Sequence, residues 1–236
     1  MSNLIDNLIE EGWLKTPRII DAFRKIKRKD FLPASLSQGG PENKKHLSEL
    51  NEALPIGYGQ TISQPLVVAF MLEKLEPDVG DRILDIGSGS GWTTALLAEI
   101  VAAPKGRASP EGRGQKGKVI AFEIIPELME FGKKNVEKYG FVGKGIVEFI
   151  CDDGSNGYMK QAPYNRILAS ATAKELPQAW KKQLEVQGRI VMPIGSSIWI
   201  FVKKSSSLNK ETRKMEDKFE QFEYPGFAFV PLISRQ

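Results

Sequence analysis

The sequence predicts an α/β fold, in which a doubly wound, mostly parallel sheet with helices on both faces is preceded by an N-terminal helical extension. Three observations predict this fold. From residue 66 onward, short apolar strands alternate with helical stretches, which is the pattern of βαβ units. The strands are apolar without alternation, as strands buried on both faces are. A glycine-rich turn at 87–91 joins a strand to a helix, which is where doubly wound folds bind nucleotides.

The N-terminal residues are predicted to form helices followed by a loop. Apolar residues at helical spacing predict a short helix over 3–14, and Thr16 followed by Pro17 predicts the start of a second helix. The basic run 24–29 is interpreted as a solvated face at the end of that helix, where cations are favourable. Residues 34–53 are polar and interrupted by glycine and proline, which predicts a loop.

The rest of the chain supplies the alternating elements, after a turn-rich stretch at 54–65. Residues 103–117, rich in glycine, proline and basic residues, are predicted to be a flexible surface insertion. Residues 203–218 are predicted to be a charged, mobile stretch. In chain order the predicted elements are helix 66–75, strand 82–86, helix 92–101, strand 119–123, helix 126–139, strands 146–150 and 164–169, helix 177–184, a hairpin of strands 188–193 and 197–202, and a last strand at 227–232.

The domain organisation follows from these elements. A length of 236 residues suits one large domain, and no internal repeat divides the chain. We predict that residues 1–53 form an N-terminal helical extension and loop that belong to the same domain as the rest. Residues 54–236 form the core of that domain, with the surface insertion at 103–117.

Composition excludes several classes of function. With 33 basic and 29 acidic residues, the net charge of +4 is too weak to argue for a nucleic-acid partner. The single cysteine, Cys151, rules out an internal disulfide and favours a reducing compartment, and together with the single histidine, His46, it gives no support for a metal site. No apolar run reaches the about 20 residues of a membrane helix, and the N-terminus has no signal-peptide pattern. We therefore expect a cytoplasmic protein without a nucleic-acid or membrane partner.

The glycine-rich turn carries the strongest functional signal. Gly87, Gly89 and Gly91 follow a strand, and Asp85 stands two residues before the first of them. Glycines permit left-handed backbone and leave room for a ligand against the main chain. The spacing differs from the dinucleotide fingerprint, whose third glycine comes one residue later, and the lysine of a P-loop is absent. We therefore expect the turn to bind a nucleotide-like ligand of another kind.

Two further acids follow the next predicted strands. Glu123 ends the strand 119–123, where a carboxylate can accept hydrogen bonds from both hydroxyls of a ribose. Asp153 follows the strand 146–150, where a carboxylate can accept from the amino group of an adenine. Either acid alone is equally consistent with a solvated strand end. Their order along the chain after the glycine turn favours the binding interpretation.

These residues resemble known methyltransferase motifs. The turn and its preceding acid are similar to motif I of class I S-adenosylmethionine (SAM) methyltransferases, whose fold is Rossmann-like. More specifically, 54–65 (LPIGYGQTISQP) resembles the signature that precedes motif I in the protein-L-isoaspartate O-methyltransferase family, and 83–91 matches that family's motif I. The resemblance covers most of 15–233, and its further segments, in family order, are 153–157, 162–167, 176–177, 183–184, 188–189, 192–195 and 229–232.

The resemblance implies an enzyme that uses SAM as its cofactor and methylates the free carboxylate of L-isoaspartyl residues in damaged proteins and peptides. The methyl ester then cyclises to a succinimide, whose hydrolysis returns some normal aspartate, so the reaction initiates repair. By the same resemblance, Ser63 is the catalytic hydroxyl and can orient the acceptor carboxylate. The implied cofactor-binding residues are Thr61, Ile62, Asp85, Gly87, Ser88, Gly89, Gly91, Glu123, Asp153 and Gly154.

Several alternatives stay open from the sequence alone. Ser63 also stands where the N-cap of the next helix is expected, and Tyr58 and Trp92 are interpreted as packing aromatics. The chain is alternatively a SAM-dependent methyltransferase that acts on a small molecule or RNA, or a non-catalytic SAM-binding module whose chemistry has decayed. The Asn/Asp-Pro-Pro-aromatic motif of RNA-directed amino methyltransferases is absent after strand 164–169. Asn165 departs from the family's usual aspartate, and the oligomeric state stays open, a monomer included.

Overall fold

The computed structural model describes residues 4–37, 40–102, 117–209 and 214–232. Within these ranges, no helix is long and apolar enough to cross a bilayer. The helices are α1 (Leu4–Glu10), α2 (Pro17–Lys25), α3 (Pro41–Ser48), α4 (Pro65–Leu75), α5 (Trp92–Val101), α6 (Pro126–Glu137) and α7 (Gln178–Gln183). The strands are β1 (Leu54–Gly57), β2 (Gln60–Ile62), β3 (Arg82–Ile86), β4 (Lys118–Glu123), β5 (Val147–Cys151), β6 (Tyr164–Ala169), β7 (Leu184–Ile194), β8 (Ser197–Asn209) and β9 (Lys214–Pro225).

The strands β3 to β9 form one seven-stranded sheet in the order β5-β4-β3-β6-β7-β8-β9. The strands β5, β4, β3, β6 and β7 run parallel, and β8 and β9 continue the sheet antiparallel. The chain first builds outward from β3 to β5 and then returns to place β6 on the other side of β3. Ligands bind at such a reversal, beyond the carboxyl ends of the strands. The predicted doubly wound, mostly parallel sheet is therefore confirmed.

Both faces of the sheet are covered by apolar side chains, which explains why its central strands show no polar alternation. Neighbouring residues of β3 belong to different clusters, since Ile83 packs in one and Leu84 packs in the other with Trp180 of α7. The first cluster also contains Leu8 and Phe23 of the N-terminal helices. The N-terminal extension therefore shares the core of one face of the sheet.

The N-terminal segment agrees with the prediction at α2 and differs from it further on. Thr16 is the N-cap residue and Pro17 the first helical residue, as predicted, although the Thr16 hydroxyl donates to Glu73 Oε2 (2.7 Å) rather than capping its own helix. The loop predicted at 34–53 was wrong in part, because it contains α3. Arg28, within the basic run predicted to be solvated, is only 5% exposed, because backbone carbonyls surround its guanidinium.

The last part of the sheet departs most from the prediction. Residues 203–218, predicted to be mobile, continue β8 and begin β9, except for 210–213, which lie outside the described residues. The last strand predicted at 227–232 was wrong, because this segment makes only a single bridge, between Pro231 and Thr172. Its apolar residues face a cavity instead of a neighbouring strand. The insertion predicted at 103–117 lies outside the described residues except for its last residue.

Candidate active site

A cavity of about 590 Å³ lies at the carboxyl ends of the parallel strands. Its walls include residues that end or follow β3, β4, β5 and β6, together with the residues that precede α4 and those that follow β9. The sheet therefore brings together stretches that lie far apart in the sequence. The predicted site residues on its walls are Thr61, Ile62, Ser63, Gly87, Ser88, Gly89, Glu123 and Gly154, whereas Asp85, Gly91 and Asp153 do not line it.

The glycine turn is held as a rigid loop between β3 and α5. The N–H groups of Gly87 and Ser88 both donate to the carbonyl of Phe122 at 2.9 Å, so the turn is fixed to the end of β4. Gly91 has φ +83°, and a Cβ there would lie 2.7 Å from the carbonyl oxygen of Gly132 in α6. The first part of the turn therefore faces the cavity, whereas Gly91 permits close packing of the turn against α6.

Glu123 joins the end of β4 to the glycine turn. Its side chain lies on the cavity wall and is 6% exposed. Oε2 accepts from the N–H of Gly89 (2.9 Å), and Oε1 accepts from the N–H of Ile125 (3.1 Å). Because each carboxylate oxygen has two lone pairs, both oxygens keep capacity to accept from a ligand. The carboxylate is thus oriented before any ligand arrives.

Asp85 lies beneath the turn and does not reach the cavity. The side chain is fully buried, and its Oδ2 accepts from the hydroxyl of Thr94 at 2.6 Å. The pKa of this carboxyl is raised from 3.8 to about 7. Burial is the main cause, the Thr94 hydrogen bond acts to lower the pKa, and the nearby carboxylate of Glu123 acts to raise it. Asp85 therefore joins the end of β3 to α5, inside the protein.

We expect Asp85→Asn to change how stability depends on pH. The folded protein holds the Asp85 proton up to about pH 7, whereas the unfolded chain releases it near 3.8, so this group makes wild-type stability fall between those values. Asparagine does not titrate but can still accept from Thr94. As the pH rises from about 4 to about 8, the free energy of unfolding of the variant should increase relative to that of wild type, by on the order of a few kcal/mol in all. Urea unfolding across that range measures the gain.

The control is Asp21→Asn, since Asp21 is an exposed acid on α2. Its unfolding free energy should follow that of wild type at every pH. If the difference between Asp85→Asn and wild type does not vary with pH, the raised pKa of Asp85 is contradicted.

In the loop after β5, Asp152 lines the cavity, whereas the predicted Asp153 stands next to it and is not part of the wall. Asp153 accepts from the N–H of Ser155 (2.8 Å) and so caps a short 3-10 helix, Gly154–Asn156. Asp152 lines the cavity, and its Oδ1 accepts from the N–H of Asp153 (2.8 Å). Trp180 Nε1 donates to the carbonyl of Gly154 (2.9 Å), which holds the loop against α7. Strand-end position alone could not separate two adjacent aspartates.

Ser63 lies on the cavity wall and is not the N-cap of α4. The N-cap residue is Gln64, and the N–H of Leu66 donates to Oδ1 of Asn51 at 3.0 Å. The capping role considered for Ser63 is therefore wrong, because a side chain from the preceding loop takes it. Tyr58, considered a packing residue, is 60% exposed at the tip of the β1–β2 hairpin.

Sequence reasoning missed the wall formed by residues 226–232, the segment after β9. Thr172 donates from its N–H to the carbonyl of Val230 (2.8 Å) and accepts at its own carbonyl from the N–H of Leu232 (2.8 Å), which fixes the segment beside the loop that follows β6. Phe227 stacks on Phe70 of α4, with ring centroids 5.4 Å apart. The aromatic and proline residues of 226–232 indicate burial, but they do not indicate which part of the protein the segment packs against.

Comparisons with known proteins identify the family of the chain. A family model described as protein-L-isoaspartate(D-aspartate) O-methyltransferase (PCMT) matches residues 1–236. The protein-L-isoaspartate O-methyltransferase of Staphylothermus marinus is 39% identical over 230 residues, which cover 98% of this chain and 92% of that protein. Protein-L-isoaspartate O-methyltransferase 2 of Archaeoglobus fulgidus is 40% identical over 217 residues, covering 91% and 84% of the two chains.

Solved structures share the fold. A PCMT from Plasmodium falciparum in complex with S-adenosyl-L-homocysteine superposes with a TM-score of 0.77 at 20% identity and covers 100% of both chains. A second protein-L-isoaspartate O-methyltransferase gives a TM-score of 0.72 at 26% identity, covering 97% of this chain and 64% of that one. The family match over the whole length, together with relatives near 40% identity, decides the assignment. The chain belongs to the protein-L-isoaspartate(D-aspartate) O-methyltransferase family.

Proposed function

We propose that this protein transfers the methyl group of SAM to the free carboxylate of L-isoaspartyl residues in damaged proteins and peptides. The ester so formed cyclises to a succinimide, and its hydrolysis begins the return to normal aspartate. Family membership over the whole chain is the observation that carries this proposal. The cavity at the carboxyl ends of the strands, with its glycine turn and oriented carboxylate, supports it independently.

The residues on the glycine-turn side of the cavity have groups suited to holding a SAM molecule. The hydroxyl of Ser88 is buried on the wall and has no hydrogen-bond partner among the described residues, so it can serve a polar ligand. Glu123 offers oriented oxygens to ribose hydroxyls. For the adenine amino group the resemblance assigns Asp153, and its place on the wall makes Asp152 a second candidate. SAM itself supplies a methyl group activated by its positively charged sulfur.

The chemistry needs positioning rather than a base. A carboxyl group with a pKa near 4 is already ionised at neutral pH, so the acceptor needs no proton removed. Consistent with this, the described walls of the cavity carry the acids Glu123 and Asp152 but no histidine or lysine. We infer that the Ser63 hydroxyl donates a hydrogen bond to one acceptor oxygen and aims the other at the methyl group. Holding the reactants in line while excluding water can supply several kcal/mol.

The test is methyl transfer from labelled SAM to paired peptides that differ only in an L-isoaspartyl or a normal aspartyl residue. We expect label on the isoaspartyl peptide alone, released as methanol when the ester cyclises. Label on both peptides alike, or on neither while SAM still binds, would refute the proposal. Label on a small molecule or RNA, but on neither peptide, would instead establish a SAM methyltransferase with another acceptor.

Replacing Glu123 by glutamine should weaken SAM binding about 10-fold or more, because a charge-assisted acceptor becomes a neutral one with a single oxygen. Calorimetric titration with SAM measures the affinity. The control is Glu130→Gln, which removes an exposed acid from α6 and should bind SAM as wild type does. Equal affinities of the two variants would remove Glu123 from the ribose site.

We further infer that the protein acts in the cytoplasm, which the single cysteine supports. We also infer that residues 1–53 belong to the same domain as the core. Burial of Leu8 and Phe23 in the cluster that covers one face of the sheet supports this inference. The second inference is tested by limited proteolysis of the whole protein, which should leave the extension attached to the core.

A further inference from the structure

A buried cation, Arg28, lies between the N-terminal helices and the acceptor side of the cavity. The side chain is 5% exposed and opens the 3-10 helix that follows α2. Its Nη1 donates to the carbonyl of Leu50 (2.9 Å), and its Nη2 donates to the carbonyls of Glu52 (2.6 Å) and Ser63 (3.2 Å). One side chain therefore joins the backbone of Ser63 to the loop that precedes β1.

The same guanidinium also lies over the ring of Trp92. Arg28 Cζ lies 5.4 Å from the centre of the Trp92 ring, a distance at which a cation is attracted to an aromatic face. Trp92 is the first residue of α5 and lines the cavity beside the glycine turn. Phe23 of α2 meets the same ring edge-on, with centroids 5.7 Å apart. Arg28 thus contacts the acceptor side through Ser63 and the cofactor side through Trp92.

We propose that Arg28 is a positioning residue that fixes the backbone of Ser63 relative to Trp92, and so sets the distance between the acceptor carboxylate and the methyl group. This inference rests on the proposed function of Ser63. A planar guanidinium can donate in several fixed directions while stacking on a ring, which neither lysine nor an apolar side chain can do. A displacement of about 1 Å at the reacting atoms can cost about 100-fold in rate.

The charge at this position is costly, which argues for a role beyond packing. Burial lowers the pKa of Arg28 to about 10, with Glu49 acting in the opposite direction, so the group stays protonated at neutral pH. Its described partners are carbonyl oxygens, and no described partner is placed to accept from its Nε, which lies buried. Apolar side chains of similar volume often stabilise a fold as well as a buried charged group does. An apolar residue at this position could fill the same space, but it would lack the N–H donors that the guanidinium holds in a fixed geometry.

The test compares Arg28→Lys and Arg28→Met with matched variants at a second buried cation. Lys203 is 4% exposed, donates to the carbonyls of Lys181 (3.0 Å) and Leu184 (3.1 Å), pairs with Asp217 Oδ2 (3.0 Å), and lies outside the cavity walls. Lys203→Arg and Lys203→Met therefore perturb a buried cation that also binds backbone carbonyls, but one that lies away from the site and has a carboxylate partner as well. Turnover is measured on the isoaspartyl peptide, well below the melting temperature, and divided by the number of sites that bind S-adenosylhomocysteine.

For both Arg28 variants we expect kcat per binding site to fall about 10-fold or more, with little change in the KM for SAM. The Lys203 variants should lose stability but keep kcat per site. If Arg28→Lys keeps the full kcat, or if the Lys203 variants lose as much kcat as the Arg28 variants, the proposal is overturned. Should Arg28→Met fail to fold, Arg28→Lys alone decides.

Hydrogen exchange separates this proposal from the proposed function. In Arg28→Lys, amides in the segment 50–66 should exchange faster than in wild type, while those of β7 and β8 stay protected. This readout does not need an active enzyme, so it tests the contacts of Arg28 even if wild type fails to methylate isoaspartyl peptides. Unchanged exchange in 50–66 would overturn the positioning role.

Discussion

Replacing Ser63 by alanine should lower turnover on isoaspartyl peptides by about 100-fold while leaving SAM affinity nearly unchanged. The hydroxyl is the group inferred to orient the acceptor, and its loss leaves the glycine turn and Glu123 intact. The fold should also be preserved, because α4 is capped by Asn51 and not by Ser63. Initial rates of methyl transfer and calorimetric titration with SAM measure the two quantities separately.

Ser63→Thr is the matched variant, because it keeps a hydroxyl at the same position. We expect it to retain more activity than the alanine variant, limited by the extra methyl group on a cavity wall. If the Ser63→Ala variant turns over as fast as wild type, Ser63 is only part of the cavity wall. If that variant instead loses SAM affinity, Ser63 belongs to the cofactor side of the cavity.

Gly91→Ala should lower the free energy of unfolding by about 3 kcal/mol. Left-handed backbone at φ +83° costs an alanine about 1–2 kcal/mol. The new Cβ would also lie 2.7 Å from the carbonyl oxygen of Gly132, which belongs to the backbone of α6 and cannot rotate away. Such overpacking costs about 1–3 kcal/mol. Urea unfolding measures the sum.

Gly145→Ala separates the two contributions. Gly145 also has a left-handed backbone, with φ +69°, but nothing lies within 4 Å of the point that a Cβ would occupy there. The free energy of unfolding of Gly145→Ala should therefore fall only by the conformational cost of a left-handed alanine, about 1–2 kcal/mol. Equal losses at the two positions would mean that the contact with Gly132 is relieved without cost. We also expect Gly91→Ala to weaken SAM binding, because α6 and the turn must separate.

The features that the sequence predicts well are those that depend on short stretches of neighbouring residues. The glycine turn, the strand before it and the acid at the end of β4 follow from short patterns, and the structure brings Gly87, Gly89 and Glu123 to one cavity. The N-cap of α4 could not be predicted in this way. Asn51 reaches Leu66 across the β1–β2 hairpin, so the cap depends on tertiary structure. A local pattern instead favoured Ser63.

The last part of the chain was also predicted poorly, because local patterns do not show which elements become neighbours in the fold. The charged residues that begin β9 resembled a mobile stretch because an edge strand can expose much of its surface, as it does at Lys218. The apolar residues at 227–232 resembled a strand because hydrophobicity indicates burial without naming the partner. Phe227 packs against Phe70, and the rest of the segment lines a cavity. Arg28 was likewise hidden among cations that do face solvent.

The cavity walls come from at least six separated stretches, near residues 62, 87, 123, 152, 171 and 229, so no fragment of the chain carries them alone. A small molecule held there therefore binds the assembled protein and not its unfolded chain. By mass action, a cofactor at about 100 times its dissociation constant would add about 3 kcal/mol to the unfolding free energy. When SAM is scarce in the cell, less of this protein would be stabilised by bound cofactor. The unliganded protein would then be degraded sooner, so the cell would lose enzyme as well as SAM.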